Sequence, residues 1–275
     1  MGHTLALANQ KGGVGKTTSA VNVSSYLASL GHYVLIVDLD PQGNATSSLG
    51  ADKRALNLST YDVLVHGADP REAVISKIRP NLDLLGANNA LAGAEVELVQ
   101  LTNREQRLRR ALEPISGDYD VILIDCPPSL GLLTVNAFTA ANSVVVPIQC
   151  EYLALEGLMQ LINTMDLVKR RLNPALDVLG VVMTMFDSRT RLSTQVVENV
   201  RRFFPNRMFR TIVPRSVRLA EAPSHGQTIL EYDSRSAGAE AYRQLGDEVA
   251  QRVGLPEPAA VNSVPQDETI SRLTG

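Results

Sequence analysis

The chain has 275 residues, 44% of them hydrophobic and 20% charged, and a net charge of −3. That length can bury one sizeable α/β core, and no apolar run approaches the roughly 20 residues that cross a bilayer. Two cysteines, Cys126 and Cys150, are too few for a disulfide framework or a four-cysteine metal site, so packing is their expected role. Met1–Gly15 carries neither a cationic leader nor a small-residue cleavage site, and the predicted compartment is the cytoplasm.

The first predicted strand, Leu5–Asn9, runs into Gln10-Lys11-Gly12-Gly13-Val14-Gly15-Lys16-Thr17-Thr18, and a helix is predicted over Lys16–Leu30. Strand, glycine loop and helix in that order make a phosphate cradle. Glycines let the backbone turn with unusual dihedrals, so the N–H groups of Gly12, Gly13, Val14 and Gly15 come close to phosphate oxygens. The helix N-terminus adds a partial positive charge at the same place. Lys16 then supplies a point charge to the β- and γ-phosphates of ATP, and the Thr17 hydroxyl is placed for Mg²⁺. Thr18 is expected at the α-phosphate.

The second strand, Tyr33–Asp38, ends in Asp38-Leu39-Asp40-Pro41-Gln42-Gly43-Asn44. Residues just past the C-terminal end of a parallel strand face the ligand crevice. Asp40 is therefore the candidate for positioning or activating the attacking water, while Asp38 goes to the Mg²⁺ or to a structural hydrogen bond. Further on come a strand at Leu82–Leu85, a helix over Ala94–Leu112, and a strand over Val121–Asp125. An apolar strand ending in Asp125 reads as the carboxylate that holds the Mg²⁺ water shell. The Pro-Pro-Ser-Leu-Gly after Cys126 reads as a switch loop able to respond to the γ-phosphate.

Helices are predicted over Leu130–Ala140, Leu153–Leu172, Ser193–Phe203 and Ala237–Val253, with strands at Val144–Ile148, Val178–Met185 and Met208–Val213. Apolar strands without alternation are covered on both faces. The predicted fold is α/β, a P-loop NTPase domain over 1–253 with a mostly parallel, twisted sheet and helices on both faces. Residues 254–275 lose the periodicity and are predicted to be a flexible tail.

Charge is unevenly spread. Between Arg189 and Arg218 there are eight arginines and one acid, Glu198, so this segment carries +7 and the rest of the chain −10. Such asymmetry points to a local anionic partner. Phe203, Phe204 and Phe209 read as helix-face core, so the segment offers few aromatics for stacking on bases.

The extra lysine at the start of Lys11-Gly12-Gly13-Val14-Gly15-Lys16-Thr17, with DLDPQGN at 38–44 and DCPPSLG at 125–131, resembles the deviant-Walker ATPases, and among them the ParA/Soj chromosome-partitioning ATPases. Matching stretches at 147–158, 184–196 and 213–226 extend the resemblance from Leu5 to about Val253. It implies that ATP closes a sandwich homodimer in which Lys11 reaches the partner's phosphates, a charge delivered where the transferred oxygens need it. It also implies non-specific double-stranded DNA binding by the ATP dimer through Arg189 and Arg218, a place on the nucleoid, and a ParB-type partner that stimulates hydrolysis. An adenine pocket is implied near Met185–Asp187 and Pro214–Val217, with Pro214 as its assigned residue.

Relatives with the same site differ in accessory features. The basic amphipathic membrane helix of MinD-type proteins has no counterpart in LPEPAAVNSVPQDETISRLTG, so no membrane contact is expected. The cysteine arrangement does not fit nitrogenase iron protein, and there is no tyrosine after Tyr242 as in the tyrosine kinases. A MinD-like or cargo-positioning ATPase remains the alternative.

Overall fold

The computed structural model describes residues 2–151 and 156–256. The strands are β1 (His3–Leu7), β2 (Val34–Asp38), β3 (Val74–Arg79), β4 (Leu82–Leu85), β5 (Val121–Asp125), β6 (Ser143–Gln149), β7 (Asp177–Phe186) and β8 (Met208–Pro214). They form an eight-stranded sheet in the order β3-β4-β2-β5-β1-β6-β7-β8. Every neighbouring pair is parallel except β3–β4, which is the mostly parallel α/β sheet expected from the alternation.

The apolar runs explain the layering. VLIVD in β2 and VILID in β5 are buried at every position, because helices cover both faces. One core holds Leu35, Val37, Ile122, Ile124, Phe138 and Val146 against the helices between β4 and β8. The other holds Leu5, Ile36, Leu123 and Phe209 against Lys16–Ser29 and Ala237–Val253. Cys126 and Cys150 are buried and free.

Three elements differ from expectation. β1 ends two residues early, so Ala8 and Asn9 already belong to the loop. The single helix predicted over Ala94–Leu112 is a helix at Leu91–Leu98, a short 3-10 turn at Arg104–Gln106, and a second helix at Arg107–Leu112. The break lies at Asn103, whose φ of 52° belongs to the left-handed region that helices do not use. β3 has no counterpart among the predicted strands. Its register shifts between Ile75 and Arg79 and Lys77 has a φ of 54°, so the bulge erases the alternation that marks a strand.

Of the helix predicted over Leu153–Leu172, Glu156–Arg171 is helical; 153–155 lie outside the described residues. So does 257–275, nearly all of the predicted tail. Among the described residues no helix is long and apolar enough to cross a membrane.

Candidate functional site

In a parallel sheet every loop that follows a strand opens at the same end, so β1, β2, β5, β6, β7 and β8 deliver their following residues to one rim. The glycine loop comes from β1. Gly13 and Gly15 have φ of 74° and 86°, a conformation that only glycine adopts without strain. Gly15 caps the helix Lys16–Ser29 without any side-chain hydrogen bond. The first N–H groups of that helix are thus left pointing into the cradle. A Cβ on Gly12 would touch Pro128 at 3.9 Å, which places the Pro127–Gly131 loop against the cradle.

The loop is fastened by residues that the motif does not contain. Asn9 donates to the Pro147 carbonyl at 2.7 Å and accepts from the Lys11 N–H at 3.0 Å. The Thr184 hydroxyl donates to the Val14 carbonyl at 2.9 Å. Asn9 stands at the strand-to-loop junction and Thr184 in the stretch TMFDSRTRLSTQV; neither position stands out by residue type alone.

Lys16 is 6% exposed, and its ammonium donates to the Lys11 carbonyl at 3.1 Å. Burial lowers its pKa, while the charges of Asp125 and Asp40 pull the other way. Thr17 and Thr18 follow on the first helical turn, both half-buried. Lys11 sits outside the cradle. Its ammonium pairs with Glu151 at 3.0 Å, with 40% of the side chain exposed.

Three carboxylates converge here. Asp38 and Asp125 are register partners on β2 and β5, side by side and fully buried. Asp38 is satisfied: it accepts from the Thr46 N–H at 2.8 Å, the Thr46 hydroxyl at 2.7 Å and the Asp40 N–H at 3.2 Å. Of the two roles left open for Asp38, these bonds describe the structural one. Burial nevertheless pushes its carboxyl up to about 6. Both oxygens of Asp125 are buried with no hydrogen-bond partner among the described residues. Its pKa is raised well above the ordinary value by burial and then by the charge of Asp38; the Thr17 hydroxyl facing it works in the opposite direction without closing a full hydrogen bond.

A buried carboxylate with four idle lone pairs is costly. A hydrated divalent cation beside Thr17 would satisfy it, so the residues present fit Mg²⁺. Asp40 is 6% exposed and accepts from the Gln42 N–H at 3.0 Å, which aims its carboxyl at the same rim.

The arginine-rich segment does not form one face. Arg189 follows β7 and Arg218 follows β8 at the nucleotide rim, whereas Arg201 and Arg202 end a helix at the opposite rim. Much of the +7 is also balanced by acids from outside the segment. Arg189 pairs with Asp187 at 2.7 Å, Arg207 with Asp177 at 2.8 Å, and Arg210 with Glu248 at 3.7 Å. Arg218 pairs with Glu221 at 3.1 Å and Asp233 at 3.6 Å. Pro214 ends β8 half-buried, and Met185 at the end of β7 has a φ of 53°, so both borders of the implied adenine pocket lie at the nucleotide rim.

Fold and site together define a P-loop nucleotide-binding protein built on a doubly wound sheet. A family profile described as an AAA domain matches residues 2–178. The chain is 55% identical over 250 residues to the sporulation initiation inhibitor protein Soj of Bacillus subtilis, covering 91% of this chain and 99% of that one. It is 51% identical over 252 residues to the chromosome partitioning protein ParA of Myxococcus xanthus, covering 92% and 89%. Among solved structures, cobyrinic acid a,c-diamide synthase from Mycobacterium smegmatis with bound ATP analogue and magnesium superposes with a TM-score of 0.82 at 40% identity, covering 93% and 97%. The chain belongs to the Soj/ParA family of chromosome-partitioning ATPases.

Proposed function

We propose that this chain is an Mg²⁺-dependent DNA-segregation ATPase whose ATP-bound homodimer holds duplex DNA non-specifically and lets go on hydrolysis. The observation that carries the reading is the position of Lys11. Its ammonium stands outside its own cradle, at the rim and 40% exposed, where a neighbouring copy can meet it. Lys16 and the loop N–H groups would bind the phosphates of ATP, and Thr17 and Asp125 are the residues that would hold Mg²⁺. When bound, the ion neutralises charge on the phosphate oxygens. Asp40 orients the water, and Lys11 adds a second cation in trans.

Arg189 stands on the loop after β7 and Arg218 on the short helix Val217–Glu221 after β8, so closing two nucleotide rims brings four of them onto one assembly. Backbone binding rises steeply with the number of phosphates neutralised. A ParB-type partner that speeds hydrolysis then strips the protein from DNA locally, which sets up a gradient on the nucleoid. The amide-synthase name on a structure at 40% identity supports the same nucleotide site. Identity to Soj and ParA is higher, at 55% and 51%, which favours the partitioning reaction over amide synthesis.

The test is duplex DNA binding with ADP and with ATP at about 50 and 200 mM salt. Binding with ATP only, weakening steeply with salt and lost in Arg218→Glu, is the expected result. DNA ignored in every state while an ATP dimer forms would overturn it and leave the MinD-like alternative, with vesicles as the next surface.

A further inference from the structure

The helix Arg191–Phe203 has 13 residues and is therefore about 20 Å long. It starts at the nucleotide rim and finishes at the opposite one, with Arg201 and Arg202 in its last turn. The helix Glu156–Arg171 occupies the neighbouring crossover, packs on the same core, and ends in Lys169, Arg170 and Arg171. The segments that follow the two ends are joined. Arg207, just past one helix, pairs with Asp177, just past the other, and donates to the Val178 carbonyl.

All five basic side chains are exposed, and none has a carboxylate within 4.0 Å among the described residues. A helix C-terminus favours a basic residue in its last turn, but that effect fades within the turn and does not account for five cations on adjoining ends. The acids on these helices are Glu156 at the far end, Asp166 and Glu198.

We propose that this far-rim cluster is a second contact for the phosphate backbone of duplex DNA, so that an ATP-closed dimer bridges separate duplex segments. The inference rests on the ATP-gated DNA binding proposed above. Four of the five residues are arginines, whose planar fork matches phosphate oxygens in pairs. Closing two nucleotide rims on one another leaves the two far rims pointing apart, so each meets its own duplex. The apolar groups nearby are Leu167 and Phe203, 55% and 66% exposed, and they lie on different helices. Between Leu192 and Phe203 the exposed face reads Thr194, Gln195, Glu198 and Asn199. A lipid interface is entered by a continuous apolar face, which these helices do not offer.

The experiment uses the full chain with ATP on bead-tethered duplex, scoring capture of a second, labelled duplex. Wild type captures it. Arg201→Glu/Arg202→Glu still binds the beads through the nucleotide rim but captures at least about fivefold less, and its salt slope falls by about one for each phosphate no longer neutralised. Arg201→Lys/Arg202→Lys restores capture, which a merely structural role would not predict. Undiminished capture by the charge-reversed protein, or wild type that binds beads and captures nothing, would overturn the bridge. So would charge reversal that abolishes binding to phosphatidylglycerol vesicles and leaves capture intact. Wild type that binds no bead DNA in any nucleotide state defeats the underlying reading itself.

Discussion

Glu248 and Asp125 are both buried carboxylates beside cations, one where the helix Ala237–Val253 meets β8, the other at the nucleotide end of β5. Glu248 accepts from the N–H groups of Arg210 and Thr211 and from the Thr211 hydroxyl, at 2.9, 2.8 and 2.6 Å. Its neighbour Arg252 is equally well used, donating to the carbonyls of Leu179, Arg207 and Met208 and lying 3.9 Å over the Phe209 ring. Asp125 has no hydrogen-bond partner among the described residues, and the Lys16 ammonium beside it donates to a backbone carbonyl.

The two regions shift pKa values in opposite directions. Burial pushes Glu248 up, but its hydrogen bonds outweigh that and leave the pKa lowered. At the nucleotide end burial wins, and Asp38 and Asp125 are raised. Unsatisfied charge at a site costs folding stability that a bound ligand can return; satisfied charge at a corner contributes it outright.

The largest expected effect tests the unsatisfied side. Lys16→Ala should lower ATP affinity about 10²–10³-fold, as expected when one partner of a desolvated charge contact is removed. Thermal unfolding without nucleotide should hardly change. Retained ATP affinity in a titration would remove the cradle assignment.

Next, Glu248→Ala strips three hydrogen bonds from β8 and should destabilise the protein by about 2–4 kcal/mol in denaturant unfolding, leaving ATP affinity within about twofold. A matching loss of nucleotide affinity would mean that the corner and the site are one unit.

The smallest effect has the opposite sign. Asp125→Asn removes a buried charge and should stabilise the nucleotide-free protein by about 1 kcal/mol, seen as a Tm rise of about 2–4 °C. The pH dependence sharpens this. Asp38 and Asp125 bind protons more tightly folded than unfolded. Stability should therefore fall as pH rises from the ordinary carboxylate value near 3.8 through about 6. Glu248 works the other way, its contribution being lost as pH falls through its lowered pKa. The decline toward pH 6 should be shallower in Asp125→Asn, and an unchanged slope would place the proton elsewhere.

Much of the nucleotide end was legible in sequence because it is built from contiguous pieces. A glycine loop after a strand, an aspartate two past β2 and another ending β5 each carry their geometry locally, and parallel strands open at one end whatever the packing. What was missed lacks a local signature. β3 is bulged at Lys77, so its period is broken. The helical pattern of 94–112 runs unbroken through Asn103, although the backbone turns there. Asn9, Thr184 and Glu151 act on the loop from just past β1, from β7 and from just past β6, and such partners are set by register.

Local order of residue types thus determined the class of fold, the cradle and its carboxylates. Only the tertiary structure decided which charges are satisfied and which side of the molecule each faces. The arginine segment shows why. It is one continuous +7 stretch in sequence, yet a helix about 20 Å long carries its middle to the far rim and β8 brings its end back to the nucleotide rim; Asp177, Asp187, Glu221, Asp233 and Glu248 meet some of the cations, while others have no carboxylate partner among the described residues. Charge balance is a sum over neighbours in space, and neighbours in space are what a linear pattern does not contain.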